Sequence, residues 1–429
     1  MSAPEFPNTP VSREDFPILS RVMSNGERLV YLDSGATSQK PQCVIDAQSR
    51  VELHSNGAVN RGSHELAAEA TMIVEDTREL VANFVGASAD EIIWTKNSTE
   101  SLNLLAYVFD NVTRRANDQE VQDRFAILPH HNIVVTRAEH HANLIPWQEL
   151  CLRTGAELRW IDLDDDGRLD LSTANVIDVN TRVVAFGHVS NVTGAVAPVT
   201  EIVELAHKVD ALVVLDACQS VPHMPVDFTS LDIDFAVFSG HKMMAPTGIG
   251  VLYGKSALLK MMQPFLFGGS MVEIVTMEKT TYAKPPARFE AGTQPVSQIG
   301  GLGEAVRYLN AVGMDKIETY ENELCEYLIQ EMLKIPHVRI LGPKDVKNRL
   351  GVVAFEVEGV HPHDVGQILN EKGIAIRVGH HCAQPIHQHF GVWSSNRVSL
   401  APYNTCSEID LFVDTLKTVR GFFGLGDEC

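Results

Sequence analysis

The chain has 429 residues, 35 basic against 55 acidic for a net charge of −20, with 45% apolar and 21% charged side chains. A broadly anionic surface argues against nucleic acid or an anionic membrane as the main partner, and this composition excludes collagen, coiled coil and extended disorder. At about 150 residues per domain the length leaves room for roughly three, but the pattern along the chain reads as one large domain and one smaller one.

Short β-rich runs alternate with amphipathic stretches through the middle of the chain, which predicts βαβ units and a mostly parallel sheet. The runs are EIIWT (91–95), NIVVT (132–136), RVVAFG (182–187), ALVVLD (211–216) and DFAVFS (234–239). TEIVELAHKV (200–209) reads as a crossover helix with Thr200 as its cap. NVTRRANDQEVQDRFAILPHHN (111–132) reads as a surface loop. From Gly301 a long helical stretch runs to about Lys334 with a break near Gly313, followed by strands at 338–342, 351–360 and 374–378 and a last helix over 407–423. These expectations give a large domain over 31–300, a smaller C-terminal α/β domain over 301–429, and an N-terminal segment, 1–30, packing with the small domain.

No apolar run reaches the ~18 residues that cross a bilayer. The opening MSAPEFPNTPVSREDF lacks the basic and apolar regions of a signal peptide, so a cytoplasmic location is expected. The seven cysteines, at 43, 151, 218, 325, 382, 406 and 429, contain no CxxC pair and are expected to be mostly reduced.

In open α/β sheets ligands bind beyond the carboxyl ends of the strands. Here those ends lead into KNSTES (96–101), EHHAN (139–143), Ser190-Asn191, Asp216 with Gln219, and Ser239 with His241 and Lys242. Each has an ordinary reading and a chemical one. Ser98 and Thr99 are either a helix cap or, with the free N–H groups and the helix dipole, a phosphate site. Asp216 either caps the next turn or pairs with a cationic ring nitrogen. Lys242 either snorkels to solvent or is a desolvated amine able to act as nucleophile or base. Together they make a parts list for pyridoxal 5′-phosphate bound as a Schiff base.

The segment AVFSGHKMMAPTGIGVLYG (236–254) resembles the lysine motif of the class V aminotransferase family, fold type I of the pyridoxal-phosphate enzymes. YLDSGATSQKP (31–41), NGAVNRGSHELAAEAT (56–71), EHHANLIPWQ (139–148), HVSNVTG (188–194), LDACQS (215–220), RFEAGTQ (288–294) and RVGHHCAQP (377–385) resemble SufS-type, group II cysteine desulfurases. The resemblance implies that Lys242 holds the cofactor, Asp216 pairs with its ring nitrogen, Gln219 meets the ring hydroxyl and His140 stacks on the ring. It places Ser98, Thr99, Ser239 and His241 around the phosphate, with Thr293 reaching in from the neighbouring subunit of a homodimer. Arg397, helped by Asn191 and with Arg377 nearby, would hold the substrate carboxylate. Cys382, by itself as readily a small buried hydrophobe, becomes the thiol that takes sulfur from L-cysteine as a persulfide, for a SufU- or SufE-type acceptor and iron–sulfur cluster assembly.

The chain departs from the pattern at Asn60-Arg61-Gly62, where a histidine usually opens the triplet, at Gln294 after Thr293, and at Ala245 in place of a glycine. Selenocysteine lyase, cysteine-sulfinate desulfinase and a plain aminotransferase are the alternatives of the same fold. Outside it, the rival reading is a zinc site built on His380, His381, Cys382, His387 and His389.

Overall fold

The computed structural model describes residues 8–60, 62–115 and 118–425; Arg61 and Cys429 lie outside them. Seven strands form the large sheet: β1 (Ile92–Thr95), β2 (Asn132–Thr136), β3 (Glu157–Ile161), β4 (Thr181–Gly187), β5 (Leu212–Asp216), β6 (Phe235–Ser239) and β7 (Gly250–Gly254). Their spatial order is β1-β7-β6-β5-β4-β2-β3. Only β7 runs antiparallel to its neighbours β1 and β6; every other pairing is parallel.

The apolar runs are continuous because both faces of this sheet are covered. Successive residues of β5 serve two different cores: Val213 and Leu215 pack on one side, Leu212 and Val214 on the other. Both cores are lined by helices, so the central strands are buried on both faces and only the edge strand β3 is partly exposed, at Glu157 and Trp160.

The small domain is an antiparallel sheet of β8 (Val338–Leu341), β9 (Val352–Val357), β10 (Arg377–Gly379) and β11 (Ser395–Ser399), in the order β8-β9-β11-β10. It packs against the helices Met314–Met332, Pro362–Glu371 and Cys406–Phe422.

Several expectations need correction. The boundary placed at 300 falls inside the helix Val296–Val312, whose Leu302, Val306 and Leu309 are buried in the large core; the helix ends at Gly313, with φ +94, and Ile317 beyond it still belongs to that core. The N-terminal segment is divided between the domains. Val30 joins the small core, while Val11, Phe16 and Leu19 join the large one. Residues 111–132 are not one loop: they complete the helix Ser98–Arg115 and add Gln119–Phe125, capped by Asp118 and buried through Val121 and Phe125. The expected strand 374–378 is split, Ile374–Ala375 pairing with Val30–Tyr31 and only Arg377–Gly379 joining the small sheet. Thr200 is not the cap of its helix; Pro198 holds that position, and no side chain caps it.

Candidate active site

Helix α1 (Ser98–Arg115) begins at the carboxyl end of β1. Its cap is Asn97, whose Oδ1 accepts from Glu100 N at 2.9 Å, so the hydroxyls of Ser98 and Thr99 are not spent on capping the helix. Ser98 N donates to Ser239 Oγ at 2.9 Å and the two hydroxyls are 3.0 Å apart, which ties the helix start to the end of β6. Gly250 permits this approach, since a Cβ there would lie 2.5 Å from Asn97 Cα. The result is a helix N-terminus flanked by hydroxyls, a built anion cradle.

Asp216 ends β5 and makes the turn contact of its ordinary reading. One carboxylate oxygen accepts from Cys218 N at 3.0 Å, and the residue also lines an inner hollow with Ser98, His140, Asn191, Gln219 and Lys242. Gln219 Nε2 donates to Gly35 O at 3.1 Å, while its Oε1 is buried with no partner among the described residues. His140 accepts from Ala142 N at 3.0 Å through Nδ1, which leaves the proton on Nε2. Burial, with the adjacent Lys242 charge, pushes its pKa down to about 4 and keeps the ring neutral.

Lys242 closes a short 3₁₀ turn, Gly240–Lys242, directly after β6. The turn is tied down through His241 O, which accepts from Ser38 N and Thr37 Oγ1, each at 3.0 Å. Lys242 also borders a second hollow, with Ser239, His241, Arg377, His381 and Arg397. Arg397 is 2% exposed. Its Nη1 donates to Asn191 O at 2.9 Å and its Nη2 to Asp33 Oδ1 at 3.2 Å, while Nε is buried with no partner among the described residues. The Asn191 side chain is engaged differently from the expectation: its Nδ2 donates to His381 O at 2.7 Å, so it clamps the cysteine loop.

Cys382 lines a third, more open hollow with Thr99, His140 and His141. Lys242 and Cys382 therefore border different hollows, with His140 common to all three. His381 and Cys382 both take left-handed backbone conformations, φ +51 and +55. Such residues cost about 1–3 kcal/mol each and need outside support. Here His141 N donates to Cys382 O at 2.7 Å and Asn191 holds His381 O.

Thr293 is not brought to the cradle within its own chain; it is exposed, in a hollow shared with Lys96 and Glu100. As to the rival zinc reading, both nitrogens of His387 are engaged, with Ala383 O and Ser395 Oγ. Among the described residues no group of three or more His, Cys, Asp or Glu is arranged to hold a metal ion.

Sequence reasoning left out Asp33, Cys218 and Ser395. It also gave no role to Glu139, a buried carboxyl that accepts from Thr136 Oγ1 at 2.5 Å, Asn143 Nδ2 at 2.6 Å and Gly187 N at 3.1 Å. Asp33 and Glu139 stood inside quoted motifs, so a polar residue next to a strand end was the available signal. Ser395 had none.

The aminotransferase class-V family model matches residues 30–412. The chain is 54% identical over 412 residues to the probable cysteine desulfurase 2 of Mycobacterium leprae (strain TN), covering 96% of each chain. It is 45% identical over 415 residues to the cysteine desulfurase of Escherichia coli O8 (strain IAI1), covering 96% of this chain and 98% of that one. Among solved structures, the apo cysteine desulfurase of Thermococcus onnurineus NA1 matches with a TM-score of 0.87 at 37% identity, over 95% of this chain and 97% of that one. A sheet with its reactive groups at one rim and full-length similarity lead to the same place: the chain belongs to the aminotransferase class-V family, among its cysteine desulfurases.

Proposed function

We propose that this protein takes sulfur from L-cysteine onto Cys382, releasing L-alanine, with pyridoxal 5′-phosphate as cofactor. The residues present fit that cofactor. The cradle at Ser98 suits a phosphate, Asp216 suits a ring N–H, and the buried Gln219 Oε1 lacks the donor that a ring hydroxyl would supply. Ser98, Thr99, Ser239, His241, Asp216, Gln219, His140 and Lys242 would hold it. When bound, it supplies an electron sink for the substrate carbon.

The chain's own side chains do the rest. Arg397, which lines the hollow of Lys242, would hold the substrate carboxylate, with Asp33 and Asn191 O fixing the orientation of its guanidinium. Arg377, opposite Arg397 in the strand register, adds positive charge beside it. Lys242 Nζ moves the proton of the substrate α-carbon. Neutral His140 offers a flat ring and an Nε2–H to the inner hollow without adding charge. Cys382 attacks the substrate sulfur as a thiolate: the S–S bond forms while the C–S bond breaks, the electron pair stays with carbon, and a proton completes alanine.

The observation that carries this reading is the junction at His140 between the hollow of Lys242 and Asp216 and the hollow of Cys382. The test is incubation with L-cysteine, measuring alanine and mapping the added sulfur by mass. One sulfur on Cys382 per alanine in the absence of reductant is expected; alanine with no sulfur on Cys382 would overturn the assignment. We further propose a homodimer in which Thr293 completes the phosphate cradle of the partner, a cytoplasmic location, and delivery of the persulfide to a SufU- or SufE-type acceptor for iron–sulfur cluster assembly.

A further inference from the structure

Behind the Cys382 loop, two imidazoles and a hydroxyl form a chain whose direction can be deduced from one end. His387 Nδ1 lies 2.8 Å from Ala383 O, and a carbonyl only accepts, so Nδ1 carries the proton. His387 is 1% exposed and burial disfavours its charged form, so its Nε2 is an acceptor. The donor to it is Ser395 Oγ at 2.9 Å. That uses the only hydroxyl proton, so Ser395 Oγ must accept from His381 Nε2, also at 2.9 Å. His381 is thereby fixed as the Nε2–H tautomer, with a buried, unpartnered Nδ1. Arg397, Arg377, His380 and His387 surround it, and none is an acid that would favour its protonation.

Ser395 and Arg397 lie two apart on β11, and so does Ser399. Side chains at that spacing share one face of a strand, about 6.6–6.8 Å apart along it. On that face Ser395 holds His381, Arg397 is the guanidinium fixed by Asn191 O and Asp33, and Ser399 Oγ accepts from Gly35 N at 2.8 Å. Of the groups that clamp the strained loop, Ser395 alone sits on the same strand as the carboxylate anchor.

We infer that Ser395 is a positioning residue for sulfur transfer: through His381 it sets the place of the Cys382 thiol relative to a substrate held on Arg397. The inference rests on the reading of Cys382 as the sulfur-accepting thiol. A thiol misplaced by about 1 Å costs on the order of 100-fold in rate, whereas Arg397 and its hold on the carboxylate are untouched.

The test compares Ser395→Ala, Ser395→Thr and Cys382→Ala in the holoenzyme. Ser395→Ala is expected to lower kcat for persulfide formation by roughly 10–100-fold with KM for L-cysteine within about twofold, and Ser395→Thr, which keeps the hydroxyl, to restore kcat. In ¹⁵N-histidine NMR, His381 is expected as the Nε2–H tautomer in the parent and in Ser395→Thr, and as a tautomer mixture in Ser395→Ala. An unchanged kcat, an equal effect on KM, or an unchanged tautomer would each overturn the inference. If Ser395→Ala does not fold, His387→Leu cuts the chain at its far end and must give the same split. Full activity in Cys382→Ala would instead sink the underlying reading; an inactive Cys382→Ala beside a normal Ser395→Ala sinks the inference alone.

Discussion

In the proposed mechanism Lys242 and Cys382 divide the work between a group that binds and a group that accepts sulfur, and the two should fail differently. Lys242→Ala is expected to abolish the yellow absorbance of the purified protein together with all turnover. Cys382→Ala is expected to stay yellow while forming no persulfide from L-cysteine, read by absorbance and by mass of the tryptic peptide. Equal alanine production by Cys382→Ala and the parent would refute the second half. Arg397 is the third residue whose loss has a defined signature. Its buried Nε has no partner among the described residues, and its other two nitrogens are fixed by Asn191 O and Asp33. Lysine keeps the charge but cannot reproduce a planar fork. Losing one charge-assisted bond at about 1.5–3 kcal/mol predicts that Arg397→Lys raises KM for L-cysteine roughly 10–100-fold, measured as alanine release, while the absorbance of the bound cofactor stays the same.

Among the elements, the junction of α1 with β7 carries a demand that no charge or hydroxyl reveals. A methyl group at Gly250 would press on the backbone of Asn97, its Cβ 2.5 Å from Cα and 2.8 Å from the carbonyl carbon. Backbone on both sides cannot yield as a flexible side chain would. Gly250→Ala should therefore displace the start of α1, with an overpacking cost of about 1–3 kcal/mol, and weaken retention of the phosphate. The expected outcome is faster loss of yellow colour on dialysis, with folding judged intact by circular dichroism; equal retention would show that the cradle tolerates the shift. β1 and β6, which lead to this junction, were legible because fully buried β-strands are apolar words followed by polar residues, whereas β7, bounded by glycines, and β3, an edge strand with exposed Glu157 and Trp160, were not read as strands. The helix Gln119–Phe125 was not legible, because only Val121 and Phe125 of its seven residues are buried, too few to give a periodic signal. Ser395 was hidden for another reason. Its partner His381 lies on a different strand connection, and no local pattern in SSNRVS encodes a bond to it.

For the molecule as a whole, buried titratable groups make stability depend on pH in two opposed senses. His140, His188 and His241 are each pushed down to about 4, first by burial. In the unfolded chain these imidazoles take up protons below about 6.5, whereas the folded protein keeps them neutral down to about 4. The unfolded state therefore binds more protons across that window, and stability rises with pH through it. His188 is 4% exposed and contributes on the order of 1 kcal/mol per pH unit; His140 and His241 are more exposed and contribute less. Glu139 works the other way. Burial pushes its carboxyl up to about 8, so it stays protonated in the fold where the unfolded chain has released the proton, and its contribution is lost as pH rises from about 4.5 toward 8. His207, raised by its hydrogen bond to Asp234, also loses its contribution above its unfolded value. His131, His141, His381 and His387 are pushed down as well, which makes seven imidazoles among the described residues, and burial raises Asp33, Glu290, Glu318 and Glu321 alongside Glu139, which makes five carboxyls. The imidazoles prevail below pH 6.5, and the raised carboxyls and His207 prevail just above it. The guanidinium midpoint of the cofactor-free protein is thus expected to peak near pH 6.5 and to fall toward both pH 5 and pH 8. Glu139→Gln, which removes the carboxyl proton but keeps the shape, should flatten the fall on the alkaline side. A midpoint that climbs steadily through pH 8 in the parent would mean that Glu139 is ionised in the fold, held so by Thr136, Asn143 and Gly187 N.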